Sequence, residues 1–255
     1  MTRTIWAETR GQGQDLVLIH GWGMNASVWS GVYDVLAKNF RVTCLDLPGH
    51  GRSRNQSLGS LPVVAEALAS VVPDDSVILG WSLGGLLAIE LASRFSGKAK
   101  KLLLVNSSPC FVRRDNWPCA LDAEVFAAFE QGLREDYSAT LRRFLGLQLQ
   151  GVSNARELIR MLRLKLEEAP PEPDALRQGL RLLNESDLRS QLAGLGIPVA
   201  ALLGARDSLV PGSVAEALRS ECGVGSVELI PDGAHIPFLT HPELFVDWVM
   251  RQGHG

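Results

Sequence analysis

The chain has 255 residues, of which 46% are hydrophobic and 21% are charged, and its mean hydropathy is +0.08. These values are typical of a folded globular protein and exclude a disordered, collagen-like or repeat-type chain. The formal net charge of −3 gives no overall attraction to nucleic acid or to an anionic membrane, so we expect neither as a partner.

The sequence also lacks the signals of export and of oxidised cysteine. No apolar run reaches the roughly 18 residues of a membrane span, and the first residues contain no apolar segment of a signal peptide. Cys44, Cys110, Cys119 and Cys222 are widely spaced and form no C-x-x-C pair. We therefore expect a cytoplasmic protein with free thiols, no disulfide framework and no bound metal.

Along the chain, apolar runs of strand length alternate with amphipathic stretches of helix length. The predicted strands are 16–20, 41–45, 76–80, 101–106, 197–203 and 226–230. One predicted helix begins near Ala26, and four others cover 61–71, 83–95, 214–220 and 242–252. Such alternation predicts βαβ units, and hence an α/β fold with a mostly parallel central sheet flanked by helices.

Between residues 113 and 184 this alternation stops. Only helical periodicity remains there, and Pro170, Pro171 and Pro173 interrupt it. We therefore predict an all-helical insertion, a lid, at 113–184. The α/β core would then consist of 1–112 and 185–255.

The strongest local motif is Gly80-Trp81-Ser82-Leu83-Gly84, which matches G-x-S-x-G. It lies where a predicted strand ends and a predicted helix begins. That context is the one a nucleophile elbow requires, because small residues let the serine occupy a strained turn at the start of a helix. Ser82 is therefore the candidate nucleophile, with the Leu83 backbone N–H as a candidate oxyanion donor.

A serine nucleophile needs a base and a carboxylate that orients it. His235 follows the last predicted strand in a polar loop, where an imidazole can reach Ser82. The other histidines, His20, His50, His241 and His254, lie in turns, at the start of the last helix or in the tail. Asp207 follows the strand 197–203 and is the favoured acid. Asp232 remains the alternative, although it shares a loop with His235, and Asp187 precedes the strand.

The turn His20-Gly21-Trp22-Gly23 follows the first long predicted strand. Its two glycines allow a tight turn with inward-pointing N–H groups. The Trp22 N–H would then join the Leu83 N–H in an oxyanion hole. A plain structural turn is the alternative.

With these residues in place, the chain resembles the α/β-hydrolase family from about residue 3 to 252, and DLPGHGRS at 46–53 also resembles a family sequence. Within the family it is most similar to the methyl ester esterases of biotin synthesis. The stretches that carry this similarity are HGWGMNASVW at 20–29, DLPGHGRSR at 46–54, LGWSLGGL at 79–86, SSPCF at 107–111 and RDNWP at 114–118.

The resemblance implies hydrolysis of the methyl ester of pimeloyl-[acyl-carrier protein] to the free ω-carboxylate and methanol, with no cofactor. It implies that the residues in contact with substrate are Trp22, Ser82, Leu83, Phe144, Leu145, Gly146, Leu147, Gln148 and His235. It further implies that lid arginines dock the acidic carrier protein, namely Arg142, Arg143, Arg156 and Arg160. Arg142, Arg156 and Arg160 are the main members of this set, and Arg143 and Arg163 are secondary ones. We expect the enzyme to be a monomer.

The charge distribution is compatible with an acidic partner. From residue 134 to 165 the chain has seven cationic and three acidic side chains, although its overall charge is −3. A basic face on an insertion above an active site suits an acidic protein. An ordinary solvated helix face is the alternative.

Three other functions share parts of this pattern. A broad short-chain carboxylesterase or a carbon–carbon bond hydrolase of the same fold would use the same serine, histidine and aspartate. A non-catalytic ligand-binding relative would not need all three. A haloalkane dehalogenase or an epoxide hydrolase would have aspartate in place of Ser82.

Overall fold

A seven-stranded sheet forms the centre of the computed structural model, which describes residues 5–254. The strands are β1 Ala7–Arg10, β2 Asp15–Ile19, β3 Arg41–Leu45, β4 Ser76–Trp81, β5 Ala99–Val105, β6 Val199–Gly204 and β7 Ser226–Ile230. Their order across the sheet is β1-β3-β2-β4-β5-β6-β7. All neighbours are parallel except β1 and β3, which pair antiparallel with Ala7 opposite Leu45.

The six predicted strands are present, with small shifts at their ends. They were predictable because strands such as β4 consist of buried, mostly apolar residues. The sequence analysis missed β1, whose residues AETR are mostly polar and mostly exposed, as suits an edge strand.

Eleven α-helices are found within residues 5–254. They are α1 Tyr33–Leu36, α2 Leu61–Ala69, α3 Leu83–Arg94, α4 Ala123–Glu135, α5 Tyr137–Gln148, α6 Ala155–Glu168, α7 Pro173–Glu185, α8 Arg189–Ala193, α9 Val214–Ser220, α10 Pro237–Thr240 and α11 Pro242–Gly253. The helix predicted near Ala26 is instead a 3-10 helix, Ala26–Gly31, followed by α1. Asn25 caps it, since its side-chain oxygen accepts from the Ser27 N–H. A second 3-10 helix covers Gly51–Ser53.

Apolar side chains pack on both faces of the sheet. One face is covered by α2 and α3, and residues 83–92 of α3 are all buried. The 3-10 helix Ala26–Gly31, α1 and α11 pack on the other face, around Trp29 and Trp248. Burial on both faces explains why the central strands are continuous apolar runs.

The helices α4, α5, α6 and α7 lie between β5 and β6 in the chain. The segment before them is not helical: Val112 and Leu121 form an isolated β-bridge, as do Arg114 and Trp117. Helix therefore begins at Ala123, later than the expected residue 113. In α4, Phe126, Phe129 and Leu133 share the buried face. Among residues 5–254, no helix has the length and apolar character to cross a membrane.

Candidate active site

Ser82 occupies the sharp turn between β4 and α3. It has φ 54° and ψ −120°, a strained conformation for a residue with a side chain. The turn is tight because its glycines lack side chains. A β-carbon on Gly80 would clash with the backbone of Gly84, and one on Gly84 would clash with the Ile19 carbonyl. The strand-to-helix turn that G-x-S-x-G predicts is therefore present.

Asp207 and His235 form a buried hydrogen-bonded pair beyond the ends of β6 and β7. The His235 Nδ1–H donates to Asp207 Oδ2 over 2.6 Å, and both side chains are fully buried. The other carboxylate oxygen accepts from the Leu209 N–H at 2.8 Å and the Val210 N–H at 3.1 Å. These bonds fix the carboxylate, and the pair leaves His235 Nε2 as the free ring nitrogen.

The two alternative acids have other partners. Asp232 is exposed and lies 3.2 Å from His241 Nε2, at the start of α11. Asp187 forms ion pairs with Arg189 at 2.7 Å and Arg114 at 3.7 Å. The geometry therefore favours Asp207 as the partner of His235.

His235 is tied to the serine turn and to α5. The indole N–H of Trp81, the residue before Ser82, donates to the His235 carbonyl at 2.8 Å. The His235 N–H donates to the Gln148 carbonyl at 3.1 Å. His235 Nε2 is buried and has no hydrogen-bond partner among the described residues. The Ser82 hydroxyl therefore makes no hydrogen bond to this nitrogen. In ligand-free active sites the bond between nucleophile and base is often long and shortens when substrate binds.

The turn at residues 20–23 packs directly against Ser82. A β-carbon on Gly21 would lie 3.2 Å from Ser82 Cβ. His20 fixes this turn: the Leu47 N–H donates to its Nε2 at 3.0 Å, so the ring proton is on Nδ1, which donates to the Gly21 carbonyl at 2.9 Å. Within residues 5–254, the backbone N–H groups of Trp22 and Leu83 donate to no protein acceptor.

Buried ionisable groups surround His20. Its pKa is lowered, chiefly because burial disfavours the charged imidazole. Burial likewise lowers the pKa of His50 to about 3. Burial by itself would raise the pKa of Asp46, but the hydrogen bonds that its carboxylate accepts from Arg52 and Ala26 outweigh burial, so the pKa is lowered. His20 is therefore neutral at pH 7, which keeps the proton on Nδ1.

A small apolar cavity of about 30 Å³ opens at Ser82. It is lined by Trp22, Ser82, Phe111, Val125, Phe126, Phe129, Phe144, Leu180, Leu183 and Leu209. The Trp22 ring packs edge-on against Phe144 at 4.7 Å, and its indole N–H donates to the Leu176 carbonyl of α7 at 2.8 Å. The helices α4, α5 and α7 thus supply most of the cavity wall. The sequence analysis missed Phe126 and Phe129, which belong to no motif, and it noted Phe111 only within SSPCF without a place in the site.

The stretch 144–148 is divided between several environments. Phe144 lines the cavity, and the carbonyls of Leu147 and Gln148 accept from Ser208 and His235. The Gln148 side chain is fully buried, and neither of its amide atoms has a hydrogen-bond partner among the described residues. Leu145 packs instead with Leu162 and Leu166 of α6, and a β-carbon on Gly146 would meet open space.

The arginines expected to dock the carrier protein, Arg142, Arg143, Arg156 and Arg160, are exposed. Among the described residues, no ion pair involves Arg142, Arg156 or Arg160. Arg143 lies over the Phe129 ring at 5.9 Å, and Arg163 pairs with Glu167 at 3.1 Å. A separate open cavity of about 320 Å³ between α5 and α6 has Arg142 and Arg163 on its wall.

Comparison with known proteins agrees with this geometry. A model of the alpha/beta hydrolase family matches residues 16–248. The chain belongs to the α/β-hydrolase family. Its strained serine turn and its paired histidine and aspartate lie where that fold gathers its sites, at the carboxyl ends of the strands.

Two relatives in the family are named pimeloyl-[acyl-carrier protein] methyl ester esterase. One, from Pectobacterium atrosepticum, is 43% identical over 254 residues, covering 98% of each chain. Another, from Methylococcus capsulatus, is 44% identical over 241 residues, covering 94% of each chain.

Solved structures of the family share the fold at lower identity. An esterase from Exiguobacterium antarcticum has a TM-score of 0.88 at 21% identity, covering 98% of this chain and 96% of that one. An enol-lactonase from Burkholderia xenovorans has a TM-score of 0.81 at 18% identity, covering 98% of this chain and 96% of that one. These neighbours establish the fold alone.

Proposed function

We propose that this protein is a serine carboxylesterase that hydrolyses the methyl ester of pimeloyl-[acyl-carrier protein], releasing methanol. The observation that carries the chemistry is the buried 2.6 Å pair of His235 and Asp207 beyond the strained turn of Ser82. The observation that carries the substrate is the name shared by full-length relatives at 43% and 44% identity. The proposed role is a step of biotin synthesis.

The proposed reaction is acyl transfer in two halves. His235, oriented by Asp207, takes the proton from Ser82 as the serine oxygen attacks the ester carbonyl. The protonated His235 then gives this proton to the departing methoxide, which leaves as methanol. Water hydrolyses the acyl-enzyme by the same route and frees the carboxylate.

The oxyanion is stabilised by the backbone N–H groups of Trp22 and Leu83. Two observations support this role. Neither N–H group donates to an acceptor within residues 5–254, and the 20–23 turn packs closely on Ser82. Leu83 is the first residue of α3, so the positive end of the helix dipole adds to this stabilisation.

The segment 113–184 acts as a lid over a core formed by 1–112 and 185–255. The cavity of about 30 Å³ is small beside the roughly 300–1,000 Å³ of pockets that enclose a ligand. The acyl chain therefore enters only after α4, α5 or α7 moves away from Ser82. The apolar walls suit a methylene chain once the lid has opened.

The acidic carrier protein docks on the exposed arginines of α5 and α6. Arg142, Arg156 and Arg160 are the main contacts because no side chain in residues 5–254 neutralises them. Arg143 makes a lesser contribution, since its guanidinium lies over Phe129. The protein acts as a cytoplasmic monomer, and nucleic acid and membranes play no part.

The substrate is tested by comparing kcat/KM for three esters. These are the methyl ester of pimeloyl-carrier protein, the methyl ester of free pimelic acid and a simple aryl ester. We expect the carrier-bound ester to be the best substrate. Equal turnover of the two methyl esters would favour a broad carboxylesterase, and faster cleavage of a diketone would favour a carbon–carbon bond hydrolase. No turnover of any substrate would indicate a binding protein.

Docking is tested by changing Arg142, Arg156 and Arg160 together to Glu. We expect kcat/KM for the carrier-bound ester to fall about 5- to 150-fold, and the deficit to shrink in high salt. Turnover of the aryl ester should stay within about twofold, because these side chains lie outside the cavity at Ser82.

A charge-matched control changes three exposed arginines of the core, Arg94, Arg219 and Arg251, to Glu. Each of them gives up an ion pair, with Glu90, Glu216 and Glu228, so the melting temperature of this variant is measured to verify its fold. This variant has the same net charge but an intact lid, so it should keep wild-type turnover of the carrier-bound ester. Equal losses in the two triple variants would indicate a general charge effect and would contradict the docking surface. Equal losses on both esters in the lid variant would indicate a disrupted lid.

A further inference from the structure

The end of β5 is hydrogen-bonded to all three loops that carry the proposed serine, acid and base. The Val105 carbonyl accepts from the Ser82 N–H at 3.0 Å, and the Ser107 hydroxyl donates to the Ser82 carbonyl at 2.7 Å. Between them lies Asn106, whose side chain contacts the other two loops. Three consecutive residues therefore meet at the centre of the site.

The carboxamide of Asn106 bridges the acid loop and the base loop. Its oxygen accepts from the Gly204 N–H at 2.8 Å, where β6 leads into the loop of Asp207. Its NH₂ group donates to the Ala234 carbonyl at 2.7 Å, next to His235. Asn106 is fully buried, so no water competes for either bond.

The backbone at this position also suits asparagine. Asn106 has φ 41°, in the left-handed region that most side chains avoid and that asparagine tolerates. A side chain here must supply one donor and one acceptor at short reach, which asparagine does. Serine is too short to reach both groups, and an apolar residue supplies neither.

From this geometry we infer that Asn106 is a positioning residue, whose carboxamide sets the separation of Asp207 and His235 by holding Gly204 and Ala234. The inference rests on the proposed role of that pair in ester hydrolysis. Two further bonds join the same loops, from the Ala205 N–H to Ile230 and from the Arg206 N–H to Gly233, both at 2.9 Å. Loss of the carboxamide should therefore shift the pair without unfolding the protein.

The test uses the full-length protein with Asn106→Gly, which removes the carboxamide while accepting the positive φ. We expect kcat for an aryl ester to fall about 10- to 100-fold, because a displacement of about 1 Å at the reacting groups has an effect of that size. KM should change less than about threefold, since most of the cavity wall comes from α4, α5 and α7. If the glycine variant folds poorly, Asn106→Ser is the substitute, because serine leaves the unfolded backbone less freedom than glycine does. It should show the same fall in kcat with little change in KM.

Thr43→Val is the matched control. It removes a partly buried 2.8 Å hydrogen bond between Thr43 and Thr9 at the β1–β3 edge of the sheet. It should lower the melting temperature and leave kcat at the wild-type value. Wild-type kcat in folded Asn106→Gly, or an equal loss of kcat in Thr43→Val, would overturn the inference.

A second measurement needs no turnover. The low-field proton NMR signal of the His235 Nδ1–H reports its hydrogen bond to Asp207, and His235→Ala identifies it by its loss. We expect Asn106→Gly to shift the signal and to speed its exchange with water, whereas Thr43→Val leaves it unchanged. An unchanged signal in Asn106→Gly would overturn the inference. If the wild type hydrolyses no ester, the proposed function fails, but this measurement still decides the role of Asn106.

Discussion

The choice of Asp207 as the acid leads to a sharp prediction for Asp207→Asn, a change that preserves volume. The asparagine oxygen can still accept from the backbone N–H groups of Leu209 and Val210, as Asp207 Oδ1 does at 2.8 and 3.1 Å. Its NH₂ group then faces His235 Nδ1, which must become an acceptor. The ring proton consequently moves to Nε2, the atom that the reaction requires as a base.

The magnitude follows from this wrong tautomer. Loss of the correct tautomer in a buried serine–histidine–aspartate arrangement lowers kcat about 10⁴-fold, or about 5 kcal/mol of transition-state stabilisation. Asp207→Ala is a poorer test, because it leaves two buried N–H groups unpaired at about 1–3 kcal/mol of folding stability each. We therefore expect Asp207→Asn to be folded and almost inactive.

Asp232→Asn provides the comparison. The Asp232 side chain is 63% exposed and pairs with His241 at 3.2 Å, so its loss should affect stability by less than about 1 kcal/mol. Turnover of an aryl ester, with circular dichroism to verify folding, decides between the two residues. An active Asp207→Asn together with an inactive Asp232→Asn would show that the acid assignment is wrong.

Further predictions concern the pH dependence of stability and the glycines of the site. Burial lowers the pKa of His50 to about 3, so below about pH 6.5 the unfolded chain binds a proton that the folded chain excludes. The free energy of unfolding should therefore be highest above that pH and fall by about 2 kcal/mol between about pH 6.5 and 4.5, as measured by urea unfolding. His50→Phe should reduce this loss, and an unchanged pH dependence in the variant would contradict the reasoning. Gly84→Ala should destabilise the fold by about 3 kcal/mol or more, because its β-carbon clashes with the Ile19 carbonyl. Gly146→Ala should raise stability by about 0.5–1 kcal/mol without loss of activity, whereas lower turnover of the carrier-bound ester in a stabilised variant would show that Gly146 contacts substrate.

The parallel strands and the serine turn could be predicted because each has a local sequence signature. Strands such as β4 are uninterrupted buried runs, and Ser82 lies in a five-residue motif between a strand and a helix. The edge strand β1 has no such signature, because its four residues are mostly exposed and only Ala7 is apolar. A helix does begin at Ala26 as expected, but its 3-10 type could not be predicted because so short a segment has too few residues to show a period.

The site residues that act through contacts between distant segments were harder to predict. Sequence position favoured Asp207 over Asp232, but only the fold shows that Asp232 lies against His241. Asn106 looked like the last residue of a strand, and its bonds to Gly204 and Ala234 join positions far apart in the chain. No local pattern records such a bridge, because its partners are backbone groups that every residue possesses.

Helix α5 combines two features that the sequence analysis treated separately, a side chain that lines the cavity and an exposed arginine. Successive residues of a helix are turned by about 100°, so residues two apart point to nearly opposite sides. On α5 this places Phe144 in the cavity wall and Arg142 on the exposed face. In the proposed function, a carrier protein that binds Arg142 therefore contacts the same helix, α5, that closes the cavity over Ser82. Since a ligand shifts a conformational equilibrium only by its differential affinity, docking opens the lid to the extent that the arginines fit the carrier better when α5 has moved.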